Sequence, residues 1–133
     1  MSGPDAVQLA YPELTGYISA ARENILALPA CAACGQWNWP PRAHCRTCGS
    51  ARLHYRPVRS AGTVYSWAVS RRQGPWAPDS VTALVSVDDA PGVRVLGWLR
   101  ARPGDTRLAV GARVRGQFVE AHVDFPLIQW SFA

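Results

Sequence analysis

Two hydrophobic periods divide the chain. From Glu13 to Leu28 the apolar residues Leu14, Tyr17, Ile18, Ala21, Ile25 and Leu28 recur mostly three or four apart, which is the spacing of one face of an α-helix. Pro12 suits the first turn, Pro29 marks the end, and Gly16 weakens the segment. The pattern predicts one amphipathic helix over Glu13 to Leu28, whose apolar stripe needs cover from the rest of the chain or from another subunit. Residues 1–29 therefore form an N-terminal segment and helix, with the first nine residues expected to fray.

After Pro57 the period falls to two. Thr63, Tyr65, Trp67 and Val69 alternate with Val64, Ser66, Ala68 and Ser70. The same alternation runs through Val81, Ala83, Val85 and Val87, through Val93, Val95 and Leu99, through Ala112, Val114, Gly116 and Phe118, and through Ile128, Trp130 and Phe132. Turn-forming stretches separate the runs: Gln73-Gly74-Pro75, Asp88 to Gly92, Pro103-Gly104-Asp105 and Asp124-Phe125-Pro126. Five short strands fit a closed barrel better than an open sheet with exposed edges, and an OB-fold over residues 57–133 is the leading candidate. Trp67 and Trp130 are expected in the barrel core, while Trp98 falls on the strand face that bears Arg94. The predicted fold is mainly β: an N-terminal helix, a middle segment of different texture, then a five-stranded barrel.

Residues 30–56 follow neither period and are rich in Cys, Trp, Pro and Arg. They contain Cys31-Ala-Ala-Cys34-Gly35 and Cys45-Arg-Thr-Cys48-Gly49, and no other cysteine exists in the chain. A two-residue gap lets a tight turn aim two sulfurs at one point, and a glycine directly after each pair can adopt positive φ so that backbone amides approach the sulfurs. Four thiolates at such spacing suit one tetrahedral zinc ion, held structurally because no coordination position is left open. Disulfides lack an export signal to support them. A redox dithiol is disfavoured by two motifs at ribbon spacing. A mononuclear iron site uses the same four ligands and stays open as the less favoured metal. His44, His54 and His122 are not needed as ligands and are expected to be surface or packing residues.

Composition alters this picture little. With 48% hydrophobic and 17% charged residues the chain reads as a soluble globular protein. No apolar run approaches the roughly 20 residues of a membrane helix, so no membrane association is expected. Met1 to Ala10 lacks a basic start followed by an apolar stretch, so no secretory signal is expected and the cytoplasm is the default location. The net charge of +5 is unevenly spread: no Asp or Glu lies between Asn24 and Pro78, a stretch that holds Arg42, Arg46, Arg52, Arg56, Arg59, Arg71 and Arg72. Such a region can draw in a nucleic-acid backbone, the phosphates of coenzyme A or an acidic protein face, or it can be plain solvated surface.

Catalytic machinery is not evident. The chain has no Gly-x-Ser-x-Gly, no phosphate-binding glycine loop and no spare cysteine. Asp88 and Asp89 are adjacent but sit in a predicted turn, where aspartate is at home. No residue is assigned a catalytic role, and an autonomous enzyme is not expected. Trp37, Trp39 and Trp76, each near proline, are rigid contact points for a partner or an apolar ligand, with local packing as the competing reading. With Arg42, Arg71 and Arg72 they are the candidate partner-binding or CoA-binding residues.

These motifs resemble one family: acyl-CoA-associated proteins built from an N-terminal helix, a rubredoxin-like zinc ribbon and an OB-fold. The resemblance runs from about Glu13 to Phe132. It is carried by Cys31-x-x-Cys34-Gly35, Pro40-Pro41-Arg42, Cys45-x-x-Cys48-Gly49-Ser50, Gly62-Thr-Val-Tyr-Ser66, Ala83-Leu-Val85 and Val110-Gly111-x-x-Val114. It departs at Pro29-Ala30 before the first cysteine and at the longer Asp88 to Gly92 turn. The resemblance implies an accessory subunit of a thiolase-superfamily enzyme: a thiolase, a thiolase-like aldolase, a hydroxymethylglutaryl-CoA synthase or a polyketide-type acyltransferase. Other members accompany hotdog-fold hydratases in steroid side-chain breakdown. The catalytic residues then belong to the partner, and this chain organises the complex and helps bind or channel the acyl-CoA. The alternative is a single-stranded nucleic-acid-binding ribbon and OB-fold protein. It is disfavoured because aromatic residues and arginines do not obviously interleave along one barrel face.

Overall fold

A computed structural model describes residues 11–71, 79–120 and 125–133. The predicted turns at Gln73-Gly74-Pro75 and at Asp124 lie outside the described residues. Two compact units are present. One takes in the described residues up to Val58 and those within Phe118–Leu127, and the other comprises Arg59–Gln117 and Ile128–Ala133. Among the described residues no helix is long and apolar enough to cross a membrane.

In the first unit a single 3₁₀ turn, Pro12–Leu14, leads into helix α1, Thr15–Ala21. The helix is half the length that the apolar spacing predicts. It stops because Asn24 takes φ +58°, a left-handed conformation that asparagine tolerates, and the Ile25 N–H donates to the Ala20 carbonyl at 2.9 Å. The chain then enters strand β1, Leu26–Cys31, which pairs antiparallel with β2, Leu53–Val58. The run Leu26-Ala-Leu-Pro-Ala30 is as compatible with a buried strand as with a helix. Pairing decides for the strand, since Pro29 could not donate inside a helix. All six residues of β1 are buried, whereas Ile25, counted in the predicted helical stripe, is exposed.

The helix rests on β2 through an unusually close contact. A Cβ at Gly16 would lie 2.1 Å from the Tyr55 ring, and the Tyr55 hydroxyl donates to the Glu13 carbonyl. The glycine that weakens the helix by propensity is therefore what admits the ring. Tyr17 also packs its ring 5.0 Å from Trp39 and 5.8 Å from Phe118.

The second unit contains the predicted barrel. Its strands are β3 (Ala61–Ser70), β4 (Ser80–Val87), β5 (Arg94–Leu99), β6 (Arg113–Val119) and β7 (Leu127–Phe132). They close in the order β3-β4-β5-β7-β6, as expected of an OB-fold. Val64, Val81, Val85, Val95 and Val114 fill the interior around Trp130, which is wholly buried. Trp130 fits because Gly97 and Gly116 flank it: a Cβ at either would come within 2.9 Å of its ring atoms.

Trp67 is a correction. It is 39% exposed rather than part of the core. A bulge between Val64 and Ser66 interrupts the alternation of β3, and β3 pairs with β6 only through Ala61 to Thr63. Beyond Val64 the strand is one arm of a hairpin with β4, and residues 65–70 are all exposed.

The Asp88–Asp89 turn ties two strand ends together. Asp88 takes a two-bond fork from Arg113 on β6, at 2.9 and 2.6 Å. Asp89 accepts from the Arg59 backbone N–H at 3.0 Å and from its guanidinium at 2.7 Å. These bonds from the Arg59 side chain and backbone hold the Asp89 carboxyl down at about 2.

Two predictions follow from these contacts. Gly16→Ala should destabilise the protein by about 1 kcal/mol or more, although alanine favours a helix by about 1 kcal/mol. A higher midpoint in thermal or urea unfolding would contradict the close contact. Because the Asp89 pKa is depressed in the folded state, its contribution is present above about pH 4 and is lost as the pH falls toward 2. Asp89→Asn should therefore lower stability at neutral pH and flatten the acid limb of a urea-unfolding series, measurable from pH 7 down to 2.

Candidate metal centre

The cysteines are placed by two nearly equivalent turns. After β1 the chain turns so that the Gly35 N–H donates to the Cys31 carbonyl at 2.8 Å. In the second turn the Gly49 N–H donates to the Cys45 carbonyl at 2.9 Å. Gly35 and Gly49 both take φ +79°, the conformation the Cys-x-x-Cys-Gly spacing predicts. The bases of the turns match as well: the Cys31 N–H donates to Gln36 at 2.9 Å and the Cys45 N–H to Ser50 at 2.8 Å.

All four sulfurs converge. Every pair lies within 4.8 Å, and Cys31 to Cys48 and Cys34 to Cys45 are each 3.6 Å apart. A tetrahedron with metal–sulfur bonds of about 2.3 Å has edges of about 3.8 Å, so the cluster has the dimensions of a four-thiolate site. Cys31 and Cys45 are buried and Cys34 and Cys48 exposed. Electrostatics also call for a cation. The Cys48 backbone N–H, then the Asn38 amide, hold the Cys45 thiol down at about 5. At Cys34 the Gln36 N–H favours the thiolate, but desolvation and the neighbouring cysteines push it up to about 12. Four thiolates this close together repel one another, and a bound metal ion would offset that repulsion. The cluster can hold one metal ion with no protein ligand missing.

The other candidate residues are scattered. Trp37 is half-buried with the Arg56 guanidinium carbon 5.3 Å from its ring centroid. Trp39 is half-buried against Tyr17, and its peptide bond to Pro40 is cis. Arg42 is exposed and lines a pocket of about 280 Å³ with Pro12, Glu13, Pro29 and Tyr55. Arg71 pairs with Asp79 at 3.2 Å. Arg72 and Trp76 lie outside the described residues, as does His122. His44 and His54 are exposed.

Two features escaped sequence reasoning. Asn38 is completely buried and bonded to Cys45; the only signal was a lone amide between two tryptophans. The outward side of β3, β4 and β5 exposes several large apolar side chains among polar ones. Leu96 is 62% exposed, Trp98 44% and Tyr65 48%, with the Arg94 guanidinium carbon 3.8 Å from the Tyr65 ring centroid. Register places Leu84 opposite Leu96 and Thr82 opposite Trp98. The available signal was that Leu84, Leu96 and Trp98 occupy the strand phase where polar residues are expected.

Comparison with known proteins agrees with both halves of this description. The family model for the ChsH2 rubredoxin-like zinc ribbon domain matches residues 19–54, and that for the ChsH2 C-terminal OB-fold domain matches residues 55–119. Among solved structures, the chain is similar to one in an Ltp2-ChsH2(DUF35) aldolase, with 22% identity and a TM-score of 0.80 over 99% of this chain and 98% of that one. It is also similar to a DUF35-family protein of unknown function from Sulfolobus solfataricus, with 16% identity and a TM-score of 0.63 over 92% and 87% of the two chains. No curated protein sequence matches.

The geometry predicts that Cys45→Ser loses the metal and unfolds the ribbon. Metal content by mass spectrometry and the fluorescence of Trp37 and Trp39 would report both. A variant that kept a full metal equivalent and a native ribbon would refute the four-thiolate site.

Proposed function

The chain belongs to the ChsH2 family of zinc-ribbon and OB-fold proteins, and on that premise we propose that it is a non-catalytic accessory subunit of a thiolase-superfamily enzyme acting on acyl-CoA thioesters. The observation that carries this reading is the full-length likeness to a chain named together with Ltp2 in an aldolase, with both ribbon and barrel matched. The four cysteines hold one structural zinc ion, since four thiolates saturate its tetrahedral site and leave no position for substrate. The reaction then belongs to the partner, a thiolase, a thiolase-like aldolase or an acyltransferase, and this chain organises the complex and helps bind or channel the acyl-CoA.

The exposed side of β3 to β5 supports the reading. Leu96, Trp98 and the Arg94–Tyr65 stack are the kind of aromatic, aliphatic and arginine anchors that carry binding energy in protein interfaces, and they stand on strands rather than on a loop. Arg42, Arg46, Arg52 and Arg56 have no carboxylate partner among the described residues. They are available to an acidic partner face or to CoA phosphates.

The test is co-expression with a thiolase-superfamily enzyme from the same genome. The two should co-elute in fixed ratio, and the enzyme alone should lack activity on its acyl-CoA substrate. Trp98→Ala should weaken assembly about 30-fold or more, corresponding to about 2 kcal/mol, while leaving the melting temperature of the isolated chain within a degree or two. A chain that stays monomeric beside a fully active enzyme would sink the proposal. A salt-sensitive shift with single-stranded DNA or RNA would favour nucleic-acid binding instead.

A further inference from the structure

Asn38 carries more of the metal centre than its place in the sequence suggests. Its side chain has no exposed surface, and it is the one buried polar residue among those described. The segment that bears it runs beside β1: Ala30 bridges to Trp37, and the Asn38 backbone N–H donates to the Pro29 carbonyl at 2.8 Å. The side chain joins this segment to the second cysteine turn. Its Oδ1 accepts from the Arg46 N–H at 2.8 Å. Its Nδ2 donates to the Gln36 carbonyl at 3.1 Å and to the Cys45 Sγ at 3.5 Å.

These partners settle which way the amide faces. The Arg46 N–H can only donate and the Gln36 carbonyl can only accept. Turning the amide over would set N–H against N–H and oxygen against oxygen inside a buried site. Both donors and the acceptor are thus used, as a buried amide requires.

The bond to sulfur breaks the symmetry of the two turns. Cys45 receives the Thr47 N–H at 3.4 Å from its own turn and the Asn38 amide from the other side. Among the described residues no other non-cysteine side chain bonds to any of the four sulfurs. An N–H aimed at a thiolate stabilises its charge and fixes its direction, which is how residues behind the ligands tune a metal site.

We infer that Asn38 is a positioning residue of the metal centre, drawing charge from the Cys45 sulfur and locking the second cysteine turn to the segment beside β1. The inference rests on the cysteines holding a metal ion.

Asn38→Asp separates this role from simple packing. It keeps the volume and an oxygen for the Arg46 N–H, but sets a carboxylate oxygen against the Cys45 sulfur. In the full chain loaded with cobalt(II), the thiolate-to-cobalt charge-transfer band should shift relative to the native protein. The zinc dissociation constant, measured by chelator competition, should rise about 10- to 100-fold. Gly16→Ala, which disturbs the same unit away from the sulfurs, should leave the band in place. The native protein loaded with cadmium-113 provides a test that needs no variant. A scalar coupling between the metal and an Asn38 side-chain amide proton should appear through the N–H···S bond. A native band and native zinc affinity in Asn38→Asp, or no such coupling in the native protein, would overturn the inference. If the native chain takes up neither cobalt nor cadmium, the metal centre itself is refuted and this role with it. Uptake of both without the coupling refutes only Asn38.

Discussion

Four sulfurs meeting at one point are the constraint on which the ribbon depends. Its regular structure is a two-stranded sheet, β1 with β2, and such a pair alone is marginal in water. Cys31 closes β1, Cys34 the turn after it, and Cys45 and Cys48 lie on a turn with little regular structure of its own. A metal ion joining them would replace the core this segment lacks. In zinc-finger peptides such binding contributes about 10–16 kcal/mol at neutral pH, ample to order a segment of this size. The remaining support is local: the Tyr55 ring in the space left by Gly16, Trp39 against Tyr17, and the buried Asn38 amide.

The barrel is stabilised by different means. It needs no metal because closure removes its edges, and its interior is close-packed valine around one tryptophan. Gly97 and Gly116 leave the room for Trp130, so the largest side chain in the core sits where two strands carry none. The paired forks of Arg59–Asp89 and Arg113–Asp88 secure the turn between β4 and β5 to the segment just before β3 and to β6. Being largely exposed, they fix geometry more than they add stability. The outward side of β3 to β5 carries large apolar side chains that this chain leaves exposed among the described residues, Tyr65, Leu96 and Trp98 among them.

Much of this architecture is legible in the amino-acid sequence alone. The clustering of the four cysteines, their two turns and the glycines behind them follow from Cys-x-x-Cys-Gly written twice, since so short a gap leaves few geometries. The five strands follow from alternation and the stretches that interrupt it. Asp88 and Asp89 read correctly as a turn. In each case the information lies within a few residues of where it acts.

What the sequence left undecided depended on partners far along the chain. Leu26 to Ala30 is apolar throughout, and only pairing with residues 53–58 makes it a strand once Asn24 has turned the chain out of the helix. The alternation of β3 promised Trp67 to the core. A one-residue bulge and the loss of β6 as a neighbour expose it instead. Asn38 showed no periodicity and matched no motif, and its role exists only because the second cysteine turn folds back onto its amide. Local pattern thus determined the strands and the two cysteine turns, while pairing, register and burial decided which faces close and which remain open, because these are properties of contacts between distant residues.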